Sequence, residues 1–238
     1  MNEIKIGDNF QKSYDNYYNV DYSEWRRLGA LGKVNNIISL CSSLPQNRIL
    51  EIGAGEGAIL SRLSELNFGN MLYAIEISES GVNSINQKKI PRLIECELYD
   101  GYNIPYENNK FDIAILSHVI EHVEFPRQLL YEASRVAKYL FIEVPLEDTL
   151  RLPQNFMLDK IGHINFFSPK TFRLLIQSSN LQIHEQITTN LPKETYVYRS
   201  QTKGVISYYI KQLLLNILPG LATKLFTYHG AIVCKKIS

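Results

Sequence analysis

The sequence predicts an α/β domain organised around a seven-stranded sheet, and three observations carry that expectation. Apolar runs of strand length recur along the chain and alternate with stretches of helical period, the pattern of a sheet covered by helices. One run, Ile49-Leu50-Glu51-Ile52, leads straight into the alternating glycines Gly53, Gly55 and Gly57, which suit a tight strand-to-helix turn. With 238 residues, 45% of them hydrophobic, the chain can fill one sizeable core. It reads as a single domain, residues 1–238, divided into a helical lead-in (1–45), a core (46–189), a helical insertion (190–228) and a last strand (229–238).

The lead-in carries Tyr14, Tyr17, Tyr18 and Tyr22, then a helix expected from Ser23 to Ser42. Trp25, Leu28, Leu31, Val34, Ile37, Ile38 and Cys41 recur near helical spacing, so one face packs on the domain. The tyrosines, with Arg27, could close over a cleft as a lid. Strands are expected over residues 47–52, 70–76, 91–97, 111–117, 138–145, 181–189 and 229–236. The first is a continuous apolar run of the kind buried in parallel sheets. The helix after it, starting near Glu56 to Ala58, aims free N–H groups back at the glycine turn and favours an anionic or hydrogen-bond-accepting ligand. In the insertion, Ile206, Tyr209, Ile210, Leu213, Leu214 and Ile217 follow an i, i+3, i+4, i+7 pattern, and Pro219-Gly220 ends that helix. An apolar cap over the cleft, or over a second subunit, is expected there. Lys203, Lys211 and Lys224 beside the apolar face leave membrane-surface contact through 203–226 as the other reading.

The glycine turn by itself admits two cofactor classes. Gly53, Gly55 and Ala58 satisfy the loose G-x-G-x-x-[GA] dinucleotide fingerprint, and Glu76 ends the second strand where a carboxylate can accept from ribose hydroxyls. That pairing fits an adenosine-type ligand and does not separate NAD from S-adenosylmethionine.

The order of landmarks downstream resembles class I S-adenosylmethionine-dependent methyltransferases. Glu51, Gly53, Gly55 and Gly57 match the first motif of that superfamily. Asp-Gly-Tyr-Asn-Ile-Pro-Tyr from Asp100 and the strand from Phe111 into Ser117-His118-Val119-Ile120-Glu121-His122-Val123 resemble its adenine-binding loop and fourth strand. Tyr139 to Pro145 resembles its fifth strand, and Gly162 to Pro169 the segment that follows. The resemblance covers roughly residues 24–189. It implies a Rossmann-like, mostly parallel sheet with helices on both faces and an antiparallel last strand. It also implies cofactor contacts at Glu51, Gly53, Ala54, Gly55 and Gly57, at Glu76 and Ile77, at Asp100 and Gly101, and at Ser117. The implied activity is methyl transfer to a small-molecule or glycan- or lipid-linked acceptor, with hydroxyl oxygen as the expected atom. A non-catalytic cofactor-binding or partner-activating module of the same fold is the competing reading. An NAD-dependent oxidoreductase stands behind it, without a Tyr-x-x-x-Lys or similar hydride-transfer constellation.

Histidines are the second chemical signal. Three of the five, His118, His122 and His163, fall in the two segments that resemble the substrate-facing rim. A helix starting after Ser117 would put His118, Glu121 and His122 on one face. An imidazole there could take a hydroxyl proton during methyl transfer. The Glu-x-x-Glu-His metal motif of ubiquinone-pathway and small-RNA methyltransferases has a counterpart here with His118 in place of the first glutamate, so a divalent metal is compatible but not favoured. Packing, proton transfer and metal binding all remain open for this group.

Composition narrows the rest. A formal net charge of +1 gives no global attraction to nucleic acid. Cys41, Cys96 and Cys234 are odd in number and widely spaced, which fits reduced thiols and neither a disulfide framework nor a CxxC metal site. The N-terminal residues lack the apolar stretch of a signal peptide, so a cytoplasmic protein, monomer or homodimer, is expected.

Overall fold

A computed structural model describes residues 23–155 and 162–237. The tyrosine-rich lead-in lies outside the described residues. In chain order the elements are α1 (Ser23–Cys41), β1 (Arg48–Ile52), α2 (Ala58–Glu65), β2 (Met71–Glu76), α3 (Glu79–Lys88), β3 (Leu93–Leu98), β4 (Phe111–Ser117), α4 (Pro126–Val136), β5 (Ala137–Leu146), α5 (Pro169–Ser178), β6 (Leu181–Thr189), α6 (Lys193–Ile217), α7 (Pro219–Leu225) and β7 (Tyr228–Lys236).

The seven strands form one sheet in the order β3-β2-β1-β4-β5-β7-β6. β1 to β5 pair in parallel, and β7 runs antiparallel between β5 and β6. This is the mixed, Rossmann-like α/β sheet that the sequence predicts. Side chains alternate across it, so each strand feeds two cores. Ile49, Ile113 and Ile115 pack with Val34 and Ile37 of α1 and with Leu60 and Leu63 of α2. Leu50, Ala114 and Leu116 pack on the other side with Leu129 and Leu130 of α4 and Phe172 and Ile176 of α5. All of these side chains are fully buried, and each large one contributes about 1.5–3 kcal/mol of transfer free energy.

Register then sets what meets at the carboxyl edge of the sheet. Ser117 at the end of β4 pairs with Glu143 of β5, and Pro145 of β5 pairs with His229 at the start of β7. An antiparallel strand delivers its first residues to the edge where its parallel neighbours deliver their last. His229 is thereby placed among the ends of β1, β4 and β5.

One sequence expectation is corrected. No helix starts after Ser117: residues 118–125 form a turn, and the next helix begins at Pro126. His118 takes a left-handed backbone (φ 60) while its N–H donates to the Glu143 carbonyl at 2.8 Å. That turn lets Ile120 and Val123 enter the core. The insertion is two helices, with α6 sharply kinked at Ser200 and Gln201. Its apolar row faces outward: Ile206, Tyr209, Ile210, Leu213 and Ile217 are all more than half exposed. The residues that anchor α6 and α7 inward are Thr195, Gly204 and Leu215, then Ala222 and Thr223. No described helix is long and apolar enough to cross a membrane.

Candidate active site

The glycine turn is held from below. The Ile75 carbonyl accepts from the N–H groups of Gly53 (2.9 Å) and Ala54 (3.2 Å), which bends the chain out of β1 and over β2. Gly53, Gly55 and Gly57 all have positive φ (70, 57 and 77), a region costly for other residues. A Cβ on Gly53 would also stand 2.8 Å from Val119 Cγ2.

A cavity of about 370 Å³ opens above this turn, within the size range of small-molecule sites. Its floor is Glu51 with Gly53 to Glu56; Trp25, Arg26 and Lys33 of α1 make one wall, and His118, His122, His163 and His229 crowd the far end. Leu191 and Thr227, the two ends of the helical insertion, complete the rim. Of the residues expected at the site, Glu51, Gly53, Ala54, Gly55, Ser117, His118, His122 and His163 line this cavity. Gly57, Glu76, Ile77, Asp100, Gly101 and Glu121 are not among its lining residues.

The reasons are visible in the hydrogen bonds. Glu76 is buried and its Oε2 accepts from Gly55 N–H at 2.7 Å, while Oε1 accepts from the Ser78 backbone and hydroxyl, both at 3.2 Å. Its carboxylate therefore braces the glycine turn. Asp100 accepts from the N–H groups of Tyr102 (2.9 Å) and Asn103 (2.7 Å) and from the Asn103 side chain (2.6 Å), which shapes the loop after β3. Arg27 is exposed and pairs with Glu24 at 2.8 Å. Its neighbour Arg26 reaches the cavity and pairs with Glu56 at 3.0 Å.

Glu51 differs from these. It is buried, and its Oε2 has no hydrogen-bond partner. Burial pushes its carboxyl up to about 8, with Glu76 adding to the rise and Lys33 opposing it. Burial pushes the Lys33 ammonium down in turn, against the pull of Glu143, Glu121 and Glu51.

The histidine end is assembled by two loops and two strands. The segment after residue 162 clamps onto the 118–123 turn, with Ile164 and Asn165 N–H donating to the Glu121 carbonyl at 2.9 and 3.0 Å. His122 and His163 consequently stack edge to face, ring centroids 4.7 Å apart. His122 Nδ1 lies 3.1 Å from the Gly162 carbonyl, which can only accept, so Nδ1 carries the proton. Burial lowers the His122 pKa, opposed by Glu121. His163 Nδ1 lies 2.7 Å from Glu147 Oε2. Glu121 and Glu143 are fully buried, and the histidines around them hold both carboxyls well below their ordinary value despite burial.

Glu143, Glu147, His229, Lys33, Trp25 and Arg26 were not singled out from sequence. Only Glu143 carries a local signal, as one carboxylate inside the apolar run Leu140-Phe141-Ile142-Glu143-Val144.

Residues 22–186 match the methyltransferase-domain family. The chain belongs to that family. Strand order and family together place it in the class I S-adenosylmethionine-dependent methyltransferase superfamily. An uncharacterized protein of Methanocaldococcus jannaschii is 26% identical over 121 residues, 51% of this chain and 54% of the relative, so the match spans about half of that relative. Among solved structures, Haemonchus contortus phosphoethanolamine N-methyltransferase 2, bound to phosphomonomethylethanolamine and S-adenosylhomocysteine, aligns with a TM-score of 0.64 at 14% identity, over 96% of this chain and 60% of that one. A SAM-dependent methyltransferase from Aquifex aeolicus aligns at 0.55 with 17% identity, over 97% and 98% of the two chains. The [4+2]-cyclase SpnF aligns at 0.62 with 13% identity, over 86% and 80%. At these identities the likeness concerns the fold, which also hosts chemistry other than methyl transfer.

Proposed function

We propose that this methyltransferase moves the methyl group of S-adenosylmethionine to a hydroxyl oxygen of a small or glycan-like acceptor, with His122 as the base. The observation that carries the reading is the pairing, in one cavity, of a buried carboxylate with one oxygen lacking a hydrogen-bond partner at one end and an imidazole whose pKa burial lowers at the other. Bound there, the cofactor supplies an electrophilic methyl on a positively charged sulfur. Glu51 would face its ammonium or sulfonium charge, and the glycine turn would let its backbone lie close without a Cβ in the way. Glu76 keeps the turn in place through Gly55 N–H.

His122 suits proton acceptance because the Gly162 carbonyl fixes the proton on Nδ1, which makes Nε2 the basic nitrogen of the neutral ring. His122 Nε2 would take up the acceptor's hydroxyl proton as its oxygen becomes methylated. His163, held by Glu147, borders the same space and can orient the acceptor. Most of the rate gain would come from holding oxygen and methyl in line within a closed cavity. Calorimetry with S-adenosylmethionine, S-adenosylhomocysteine and NAD tests the cofactor half of this reading. Tight NAD binding with no response to S-adenosylhomocysteine would sink it.

A further inference from the structure

We propose that His118, Glu143 and His229 form a binding site for one divalent transition-metal cation of the zinc type, with its fourth coordination position open to the cavity. The three side chains come from the β4 turn, the middle of the sheet in β5 and the start of β7, and each offers one ligand atom within 4.8 Å of the others. Glu143 Oε1 lies 3.4 Å from His118 Nε2 and 3.3 Å from His229 Nδ1. Charge-assisted hydrogen bonds are shorter, about 2.7–2.9 Å. A tetrahedral ion with ligand bonds of about 2.0–2.1 Å holds its ligand atoms about 3.3–3.4 Å apart. The two spacings from Glu143 are those of coordination edges, and the two imidazole nitrogens lie within 4.8 Å of each other. His118 Nε2, although buried, also has no hydrogen-bond partner.

The surroundings fit the same role. Metal-bound imidazoles usually donate their second N–H to a carboxylate, and ligating carboxylates are themselves held by hydrogen bonds. His118 Nδ1 stands 3.2 Å from Glu121 Oε1, a buried carboxylate oxygen that has no hydrogen-bond partner and lies close enough to take that N–H after a small turn of the ring. Glu143 Oε2 accepts from Asn36 Nδ2 at 2.7 Å, which turns Oε1 toward the two imidazoles. His118 holds a left-handed backbone that non-glycine residues seldom keep without a local reason. Two nitrogens and one oxygen favour zinc and its first-row neighbours over magnesium or calcium, which prefer oxygen ligands. Because His118 and His229 both line the cavity, the open position would receive the acceptor oxygen and acidify its hydroxyl. Glu121, His122 and His163 form the neighbouring group, but His122 Nε2 is 4.0 Å from Glu121 Oε1, looser than a coordination edge.

The test is calorimetric titration of the chelator-stripped full chain with Zn²⁺, and with Co²⁺ for its visible tetrahedral absorption. One ion per chain and a tetrahedral Co²⁺ spectrum are expected. His229→Ala and Glu143→Gln should each weaken Zn²⁺ binding at least 100-fold, and Asn36→Leu by about 10–100-fold. His163→Ala should leave it within threefold. S-adenosylhomocysteine affinity, measured on the same samples, reports folding and the cofactor site separately from the metal. Absence of Zn²⁺ binding by a stripped chain that still binds S-adenosylhomocysteine would overturn the proposal. Loss in His163→Ala with retention in His229→Ala would overturn it too, by moving the ion to the neighbouring group.

Discussion

Glu51→Gln tests the electrostatic logic of the cavity most directly. In the native chain the carboxyl is raised from an ordinary 4.5 to about 8, chiefly by burial. That shift corresponds to about 5 kcal/mol of preference for the neutral form. A raised carboxyl contributes stability that is fully present below pH 4.5 and is lost as pH climbs through 8, so the ligand-free protein should soften over that window. A cationic ligand inverts the preference, because only ionised Glu51 can pair with it. At pH 7 roughly one chain in ten carries the ionised form before binding. Calorimetry with S-adenosylmethionine should therefore show affinity rising about tenfold from pH 6 to 7, about fivefold from 7 to 8, and levelling above. Glu51→Gln should flatten this profile and bind more weakly than the native chain at pH 9. A native profile that is flat from pH 6 to 9 would refute the assignment of Glu51 to the ligand's charge.

Removing the brace in Glu76→Ala strands the Gly55 N–H and should cost about 1.5–3 kcal/mol of ligand-free stability by thermal denaturation, with weaker S-adenosylhomocysteine binding as the second readout. Gly53→Ala combines a φ of 70 with a 2.8 Å contact to Val119, so a loss of about 1–3 kcal/mol is expected in the same assay. His122→Ala should lower turnover by about 10²–10⁴ at saturating cofactor while leaving cofactor affinity nearly unchanged. Because burial lowers the imidazole pKa from its ordinary 6.5, the fall in native kcat on acidification should be centred below pH 6.5; a fall centred above pH 7 would contradict the neutral base. Leu213→Glu, on the outward row of α6, should leave cofactor affinity and thermal midpoint within experimental error.

All seven strands are legible in the sequence, within a residue or two at their ends, because most are apolar runs closed by turn residues; β3 and β6 are more polar and lie at the two edges of the sheet. The glycine turn is legible for the same local reason. What escapes is set by distance along the chain. The spacing of His118, Glu121 and His122 suits a helix face, yet the long-range hydrogen bond from His118 to Glu143 imposes a turn. Asn36 meets Glu143 across more than a hundred residues, and no local pattern announces that contact. Arg26 and Arg27 differ by one helical step of about 100°, enough to decide which reaches the cavity and which reaches solvent. The stripe on α6 shows how far periodicity goes. It identifies a helix and its apolar side but says nothing of what lies against that side.

The insertion of β7 between two strands that precede it has a consequence for how the molecule comes into being. During synthesis β5 and β6 emerge first, and neither can complete its hydrogen-bond ladder until residues 228–236 slide between them. Contacts of such long sequence separation are slow to form. The glycine-turn half of the cavity, built from β1, the turn and β2, is contiguous in sequence and free to mature early. His229 arrives with the final strand. A nascent chain would therefore hold a finished glycine turn before it holds the histidine end, which is complete only once residues 228–236 have entered the sheet.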